Sequence, residues 1–100
     1  MTDVDVVDQK ANDRFLVELD GHVAKLEYRL NGDRLVLIHT EVPDELEGHG
    51  VGGALVRAAL DRARAEELTI VPWCEFARSW LEKHEDEAAT VDIDWDSRPR

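Results

Sequence analysis

Two short turn signals, Asp20-Gly21 and Asn31-Gly32, constrain the fold of this chain most strongly. Each lies between runs that are rich in branched and alternating apolar residues. Asp-Gly and Asn-Gly pairs favour the tight type I′ turns of β-hairpins, because these turns need positive φ at both central positions. The flanking runs are residues 14–19, 22–30 and 34–42. The pattern therefore predicts an antiparallel meander of three strands.

The second half of the chain has a different pattern. Pro43 breaks the third strand, and a glycine-rich turn at residues 48–53 leads into a helix predicted over residues 54–67. A short β-rich segment, 69–73, and a second helix, 75–84, follow. A strand, a helix and a strand in succession imply a right-handed crossover and a parallel pair. The predicted fold class is therefore α/β with a mixed sheet, in the order β-β-β-α-β-α.

The two ends of the chain are acidic, and the length of 100 residues fits one domain. We expect residues 1–12 to form a flexible acidic end that is frayed or weakly docked, residues 13–87 to form the domain, and residues 88–100 to form an acidic C-terminal tail. In that tail Val91, Ile93 and Trp95 alternate with aspartates, which fits either a final edge strand or an unpaired segment.

Charge and cysteine content narrow the classes of function. The formal net charge of -11 argues against nucleic acid and against an anionic membrane, since both require a basic surface. The chain has three lysines and nine arginines, an acidic, lysine-poor balance typical of proteins from high-salt cytoplasm, although an ordinary acidic protein fits as well. Cys74 is the sole cysteine, so we expect no internal disulfide and a reducing cytoplasm.

The sharpest chemical feature is Glu-Gly-His-Gly-Val-Gly-Gly at residues 47–53, which follows a strand and opens a helix. Glycines let a backbone approach a ligand closely, and the first amides of a helix have no internal partners. Such a helix start favours an anion, phosphate above all. The segment lacks the Gly-Lys-Ser/Thr of a P-loop, and the hairpins before it do not form a dinucleotide-binding unit.

These residues resemble the GNAT acetyltransferase superfamily, which carries Arg/Gln-x-x-Gly-x-Gly/Ala between a strand and its pyrophosphate-binding helix. Gly50 and Gly52 match that pattern, whereas Glu47 stands where the family has Arg or Gln. Residues 39–43 (His-Thr-Glu-Val-Pro) and 71–76 (Val-Pro-Trp-Cys-Glu-Phe) resemble a minimal GNAT-like group, and the likeness runs from about Arg14 to His84. This group looks like a GNAT core without its first strand and first two helices.

The resemblance implies that acetyl-CoA is the donor substrate and an amine the acceptor. It implies a coenzyme site on the glycine turn and its neighbours, namely Val42, Gly48, His49, Gly50, Val51, Gly52, Gly53 and Arg78. The acceptor is the element least defined by the sequence, because the absent segments of the family usually help to build its site. We expect no metal, since no histidine pair has ligand spacing and one cysteine gives little support for zinc.

Three residues are candidates for the catalytic chemistry. The resemblance implies direct attack of the amine on acetyl-CoA, with a general base to remove the amine proton. In the GNAT-like group the position of Cys74 also suggests a covalent route, in which a thiolate accepts the acetyl group and passes it on. Cys74 also fits a buried small hydrophobe. Glu41 and His39 share strand parity and could act as general base, or they could be an exposed carboxylate and a structural histidine. Phe76, Trp80 and Leu81 fit the core better than a ligand site, and Arg78 fits a surface ion pair as well.

Three classes of function follow. The first is an acetyl-CoA-dependent N-acetyltransferase, monomeric or homodimeric. The second is a degenerate GNAT that holds coenzyme A or a partner protein without turnover, which Glu47 and the missing acceptor elements favour. The third is a structural acidic protein whose glycines serve only as a turn.

Overall fold

Six strands form one mixed sheet in which the spatial order of the strands follows their order in the sequence. The computed structural model describes residues 4–98. The strands are β1 (Val7–Gln9), β2 (Arg14–Leu19), β3 (His22–Asn31), β4 (Arg34–Glu41), β5 (Thr69–Pro72) and β6 (Asp92–Ile93). The helices are α1 (Val51–Glu66), α2 (Glu75–Lys83) and the single turn α3 (Glu85–Ala88).

The predicted meander is confirmed. Strands β2, β3 and β4 pair antiparallel, and the turn between β2 and β3 has positive φ at both Asp20 (52°) and Gly21 (77°). Both values are those that a type I′ turn requires. The local sequence therefore determines this half of the sheet.

The parallel half of the sheet is also confirmed. Strand β4 pairs parallel with β5, and β5 pairs parallel with β6. Helix α1 connects the first pair, and α2 with α3 connects the second. Both α1 and α2 contribute to one hydrophobic core, which places them on the same face of the sheet. The predicted fold class, α/β with a mixed sheet, is confirmed.

In the described part of the chain, helices cover one face of the sheet but not the other. Phe15, Val17, Leu26 and Leu37 lie on the helical face, and each is at most 1% exposed. The opposite face carries Lys25 and Glu27, which alternate with those buried positions, together with exposed Val23. Within residues 4–98 no helix covers this opposite face, which we call the open face.

Part of the N-terminal segment, which we expected to be frayed or weakly docked, forms a strand of the sheet. Residues 7–9 form β1 and pair antiparallel with β2, while residues 1–3 lie outside the described part. Asp8 fixes this strand, because it accepts a hydrogen bond from the Tyr28 hydroxyl (2.5 Å) and pairs with Arg62 of α1 (3.0 Å). The side chain of Arg62 is only 10% exposed and also donates to the Tyr28 oxygen at 2.8 Å. We call Asp8, Tyr28 and Arg62 the N-terminal clasp.

Tyr28 is the sole tyrosine, so its ionisation can be followed without interference from another phenol. Burial and then the hydrogen bond to Asp8 raise the pKa of Tyr28 to about 12. Because the folded state favours the protonated phenol, this contribution to stability is full below about pH 10, the ordinary value, and is lost as pH rises toward about 12. We expect an ultraviolet titration of tyrosinate to give a folded midpoint near 12. A midpoint near 10 in protein that circular dichroism reports as folded would contradict the clasp.

The C-terminal segment forms the edge strand, which is one of the two arrangements that the alternation allowed. Asp92 and Ile93 form β6, and the Asp94 amide continues the ladder by donating to the Ile70 carbonyl at 2.9 Å. Arg34 of β4 forms an ion pair with Asp94 across the open face. Residues 99 and 100 of the expected tail lie outside the described part.

Candidate functional site

A fork between β4 and β5 is the starting point of the candidate site. The two strands pair from Arg34 and Thr69 as far as Leu37 and Pro72, where β5 ends. The Cys74 amide then donates to the Leu37 carbonyl at 2.9 Å and closes the fork. Strand β4 continues to Glu41, so in the described chain its last residues have no strand on this side. Such an unpaired edge can bind an extended ligand through main-chain hydrogen bonds.

The glycine turn brings the start of α1 to this fork. Gly48 (φ 82°) and Gly50 (φ 73°) take left-handed conformations that side chains disfavour. The first helical bond runs from the Ala54 amide to the Gly50 carbonyl at 3.0 Å. The amides of residues 51–53 therefore precede the internal bonding of the helix, and the helix dipole favours an anion beside them.

Between the fork and the turn lies a cleft of about 470 Å³. Ten residues line it: Thr40, Val42, Leu46, Glu47, Gly48, Gly50, Val51, Gly52, Gly53 and Phe76. Six of the eight residues expected at the coenzyme site are among them, whereas His49 and Arg78 are not. His49 is an exposed residue of the turn.

Thr40, Leu46 and Phe76 are lining residues that sequence reasoning missed. Phe76 was expected in the core, but its ring is 43% exposed and forms one wall of the cleft. Its place two residues after Cys74, in the first turn of α2, was the available signal. Trp80 is half-buried against the core and Leu81 is fully buried, as expected of core residues.

Gly52 and Gly53 are required by helix packing as well as by the turn. A Cβ on Gly52 would stand 2.4 Å from the tip of the Phe76 ring, and one on Gly53 would stand 2.9 Å from Nε1 of Trp80. The Trp80 ring is held on both sides, by the stacked His84 ring at 3.8 Å and by the Arg57 guanidinium at 5.1 Å. Phe76 is 43% exposed and lines the cleft, so its ring can turn toward that open space.

This difference predicts different costs for two neighbouring alanine substitutions. Gly53→Ala is expected to destabilise the protein by about 1–3 kcal/mol through overpacking, despite a gain in helix propensity of about 1 kcal/mol. Gly52→Ala is expected to cost less, since the Phe76 ring can move. Urea denaturation measures both variants. Equal effects, or a cost of Gly53→Ala that persists in a Trp80→Ala background, would contradict the packing explanation.

Cys74 lies beside Thr40 at the closed end of the fork. The thiol is 7% exposed, and its sulfur is 3.1 Å from Oγ1 of Thr40, which itself lines the cleft. Cys74 is also the N-cap residue of α2, directly before the first helical residue, Glu75. The hydroxyl group of Thr40 thus lies between the nucleophilic thiol of Cys74 and the cleft.

His39 and Glu41 lie together, as their shared parity predicted, but on the open face. Nε2 of His39 is 3.2 Å from Oε1 of Glu41, and Nζ of Lys25 is 3.6 Å from the other carboxylate oxygen. The hydrogen bond with His39, followed by the charge of Lys25, lowers the pKa of Glu41. A carboxylate with a lowered pKa is a weaker base, so the imidazole is the better proton acceptor of the two.

A β-bulge explains this separation of faces. Tyr28 pairs with Leu37, and the preceding residue Glu27 pairs with His39, so Ile38 is an extra residue. The bulge changes the alternation of β4, and Thr40 rather than His39 shares the helical face with Leu37. The bulge therefore places Thr40 on the cleft side of β4 and His39 and Glu41 on its open face.

Arg78 lies at a different cavity, of about 750 Å³, between α2 and the C-terminal segment. Its guanidinium lies 5.7 Å from the centre of the Trp95 ring, and Nη1 donates to the Trp95 carbonyl at 3.0 Å. The expected surface ion pair is replaced by this contact.

Two kinds of feature are absent from residues 4–98. No group of three or more histidine, cysteine, aspartate or glutamate side chains is arranged to hold a metal ion. In the same range no helix has the length and apolar character needed to cross a membrane.

Comparison with known proteins decides the family. A sequence profile described as GCN5-related N-acetyl-transferase matches residues 14–91. The chain belongs to this family. The match begins at the first residue of β2 and ends just before β6, so it includes the fork, the glycine turn and Cys74.

Known members agree with this assignment. The chain is 36% identical over 74 residues to Protein NATD1 of Gallus gallus, a match that covers 71% of this chain and 67% of that protein. Protein NATD1 of Homo sapiens matches with the same identity, over 71% of this chain and 66% of its own length. A GCN5-like protein from Staphylococcus aureus, solved by NMR, superposes with a TM-score of 0.70 at 28% identity and covers 96% of both chains.

Proposed function

We propose that this chain is an acetyl-CoA-dependent N-acetyltransferase that transfers an acetyl group from acetyl-CoA to an amine. One observation carries the proposal: the unpaired edge of β4 and the free amides of α1 converge on one cleft of about 470 Å³. Membership of the acetyltransferase family supports the same reaction class. The coenzyme needs both features, because it carries phosphates at one end and an extended amide-containing arm at the other.

The coenzyme has a defined placement in this proposal. The pyrophosphate lies on the amides of residues 51–53, where Gly48 and Gly50 leave the approach free of side chains. The pantetheine arm runs along β4 beside Thr40 and Val42, with the Phe76 ring as the opposite wall. This orientation brings the thioester to the closed end of the fork, next to Thr40 and Cys74.

We propose that the acetyl group passes through Cys74. The thiolate sulfur attacks the thioester carbonyl carbon, a new sulfur–carbon bond forms, and the bond to the coenzyme sulfur breaks. Coenzyme A leaves as a thiolate and takes up the proton that the Cys74 thiol released. The amine then attacks the acetylated cysteine and restores the free thiol. A reducing cytoplasm suits this chemistry, since it keeps the thiol free.

His39 and Glu41 have a separate role. They lie on the open face of β4, so we assign them to the acceptor side, where a base must remove the proton of the attacking amine. His39 accepts the proton, and the hydrogen bond at 3.2 Å lets Glu41 orient the ring and stabilise its charged form. Donor and acceptor thus use opposite faces of one strand.

Calorimetric titration of acetyl-CoA tests the proposal. We expect saturable binding that Gly50→Val weakens at least about tenfold, because a branched side chain at φ 73° distorts the cradle and fills the approach. Gly32→Val is the matched control, because Gly32 has a similar φ of 62° at a hairpin turn away from the cleft. Equal loss in both variants would indicate a folding effect.

Failure of binding in the folded wild-type protein would overturn the acetyltransferase function. Binding without transfer to any amine in a panel of small amines and lysine peptides would instead support a coenzyme-binding module.

A further inference from the structure

The cleft differs from most phosphate sites in its charge. Among its ten lining residues, all within the described part of the chain, Glu47 is the only one with an ionisable side chain. Glu47 ends the turn Asp44–Leu46, so two more exposed carboxylates, Asp44 and Glu45, lie close in sequence. A bound pyrophosphate would therefore face a carboxylate and no cationic side chain of the cleft wall.

Two basic residues of the neighbouring elements, Arg57 and Lys25, are already paired with carboxylates. Nη1 of Arg57 comes within 3.8 Å of the position that a Cβ on Gly53 would take. Its Nε and Nη2 donate to Glu87 at 2.8 and 3.1 Å, which makes a two-point ion pair. Lys25 is shared between Glu27 and Glu41 on the open face. Main-chain amides therefore provide the attraction for the coenzyme phosphates.

We infer that Glu47 reverses the usual salt dependence of coenzyme binding, so that affinity for acetyl-CoA rises with ionic strength. The inference rests on the proposed function, since it concerns the same cleft. Sites built from lysine and arginine lose affinity in salt, because salt screens the attraction between opposite charges. Here the long-range term is repulsive, between the coenzyme phosphates and Glu47 within a chain of net charge -11. The attractive hydrogen bonds act at contact distance and are screened much less.

The size of the effect follows from Coulomb's law. A unit charge about 6 Å from a doubly charged pyrophosphate, in a water-like dielectric, weakens binding about tenfold. The Debye length falls from about 10 Å at 0.1 M salt to about 3 Å at 1 M, so most of this repulsion is removed at the higher concentration. At about 0.1 M salt the repulsion at about 6 Å is already reduced to about half, so we expect acetyl-CoA to bind about threefold more tightly at about 1 M than at about 0.1 M potassium chloride.

The test is calorimetric titration of acetyl-CoA at both salt concentrations in three proteins. Glu47→Gln, which installs a residue that the family uses at this position, should gain about fourfold in affinity at about 0.1 M salt and lose most of the salt response. Glu45→Gln is the matched control, because it removes the same charge from the same turn at a residue outside the cleft lining. It should change affinity by less than about twofold.

A second probe separates this effect from salt-dependent folding. S-acetylpantetheine lacks phosphates, so its affinity should not rise with salt, and circular dichroism at each salt concentration monitors the fold. Acetyl-CoA binding that weakens or stays constant in salt, or an equal gain for S-acetylpantetheine, would overturn the inference and leave the proposed function standing. Absence of acetyl-CoA binding at every salt concentration would overturn the proposed function itself.

Discussion

Removal of the Cys74 thiol is expected to lower acetyl transfer about 10³-fold or more while acetyl-CoA binding stays within about twofold. The reason is geometric: the sulfur is 3.1 Å from Thr40 Oγ1, but Cys74 is not among the residues that line the cleft. Cys74→Ala therefore removes the acetyl carrier and leaves the coenzyme cradle intact. Steady-state transfer and calorimetric binding, measured on the same preparation, check both parts.

The intermediate itself can be observed, because the chain has one cysteine. Wild-type protein incubated with acetyl-CoA in the absence of an amine should gain the mass of one acetyl group, and neutral hydroxylamine should remove it as it removes thioesters. Cys74→Ser keeps the shape of the side chain and a hydrogen-bonding group beside Thr40, and it serves as the control for packing. Full transfer activity in Cys74→Ala would contradict the covalent route and favour direct attack assisted by His39.

Substitution of Arg62 by methionine is expected to lower the free energy of unfolding by about 3 kcal/mol. Arg62 is the centre of the N-terminal clasp, with a side chain only 10% exposed, and methionine would leave Asp8 without its cation and Tyr28 without its donor. Removal of one partner from a buried pair costs more than the pair contributes, since a charge remains in a poorly solvated place. Urea denaturation measures the loss.

Arg64→Met is the matched control on the same helix. Arg64 pairs with Asp61, and the two side chains are 41% and 71% exposed, so the expected cost is within about 0.5 kcal/mol. Hydrogen exchange should also show earlier opening of β1 in Arg62→Met, because Asp8 holds that strand against β3 and α1. Equal destabilisation by both substitutions would contradict the assignment of a clasp.

Local patterns predicted the parts of the fold that depend on local chemistry. The Asp20-Gly21 turn alone implies the hairpin that the structure contains, and the boundaries of β2 match the prediction. Helix α1 begins at Val51, three residues earlier than expected, because glycine propensity argues against a helix through Gly52 and Gly53. Packing of Phe76 and Trp80 on the bare backbone outweighs that propensity.

The sequence did not predict the features that depend on long-range contacts. Asp8 is one of several acidic residues near the N-terminus, and only the fold brings it 2.5 Å from the Tyr28 hydroxyl. The glycine turn identified most of the cleft lining, but Thr40 and Phe76 depend on the fork between β4 and β5. No alternation pattern showed the extra residue at Ile38, because a bulge is defined by the partner strand.

The bulge at Ile38 separates the length of β4 from the assignment of its residues to the two faces. Deletion of Ile38 would restore a two-residue repeat along β4 and leave the pairs Glu27–His39 and Leu26–Thr40 in place, so Thr40 would still face Cys74 and His39 would stay on the open face. Regular pairing of Ile38 with Glu27 would instead turn His39 toward the helices and Thr40 away from Cys74. Lineages of this fold should therefore tolerate both exchange and loss of residue 38, whereas loss of the next residue as well would turn Thr40 to the open face.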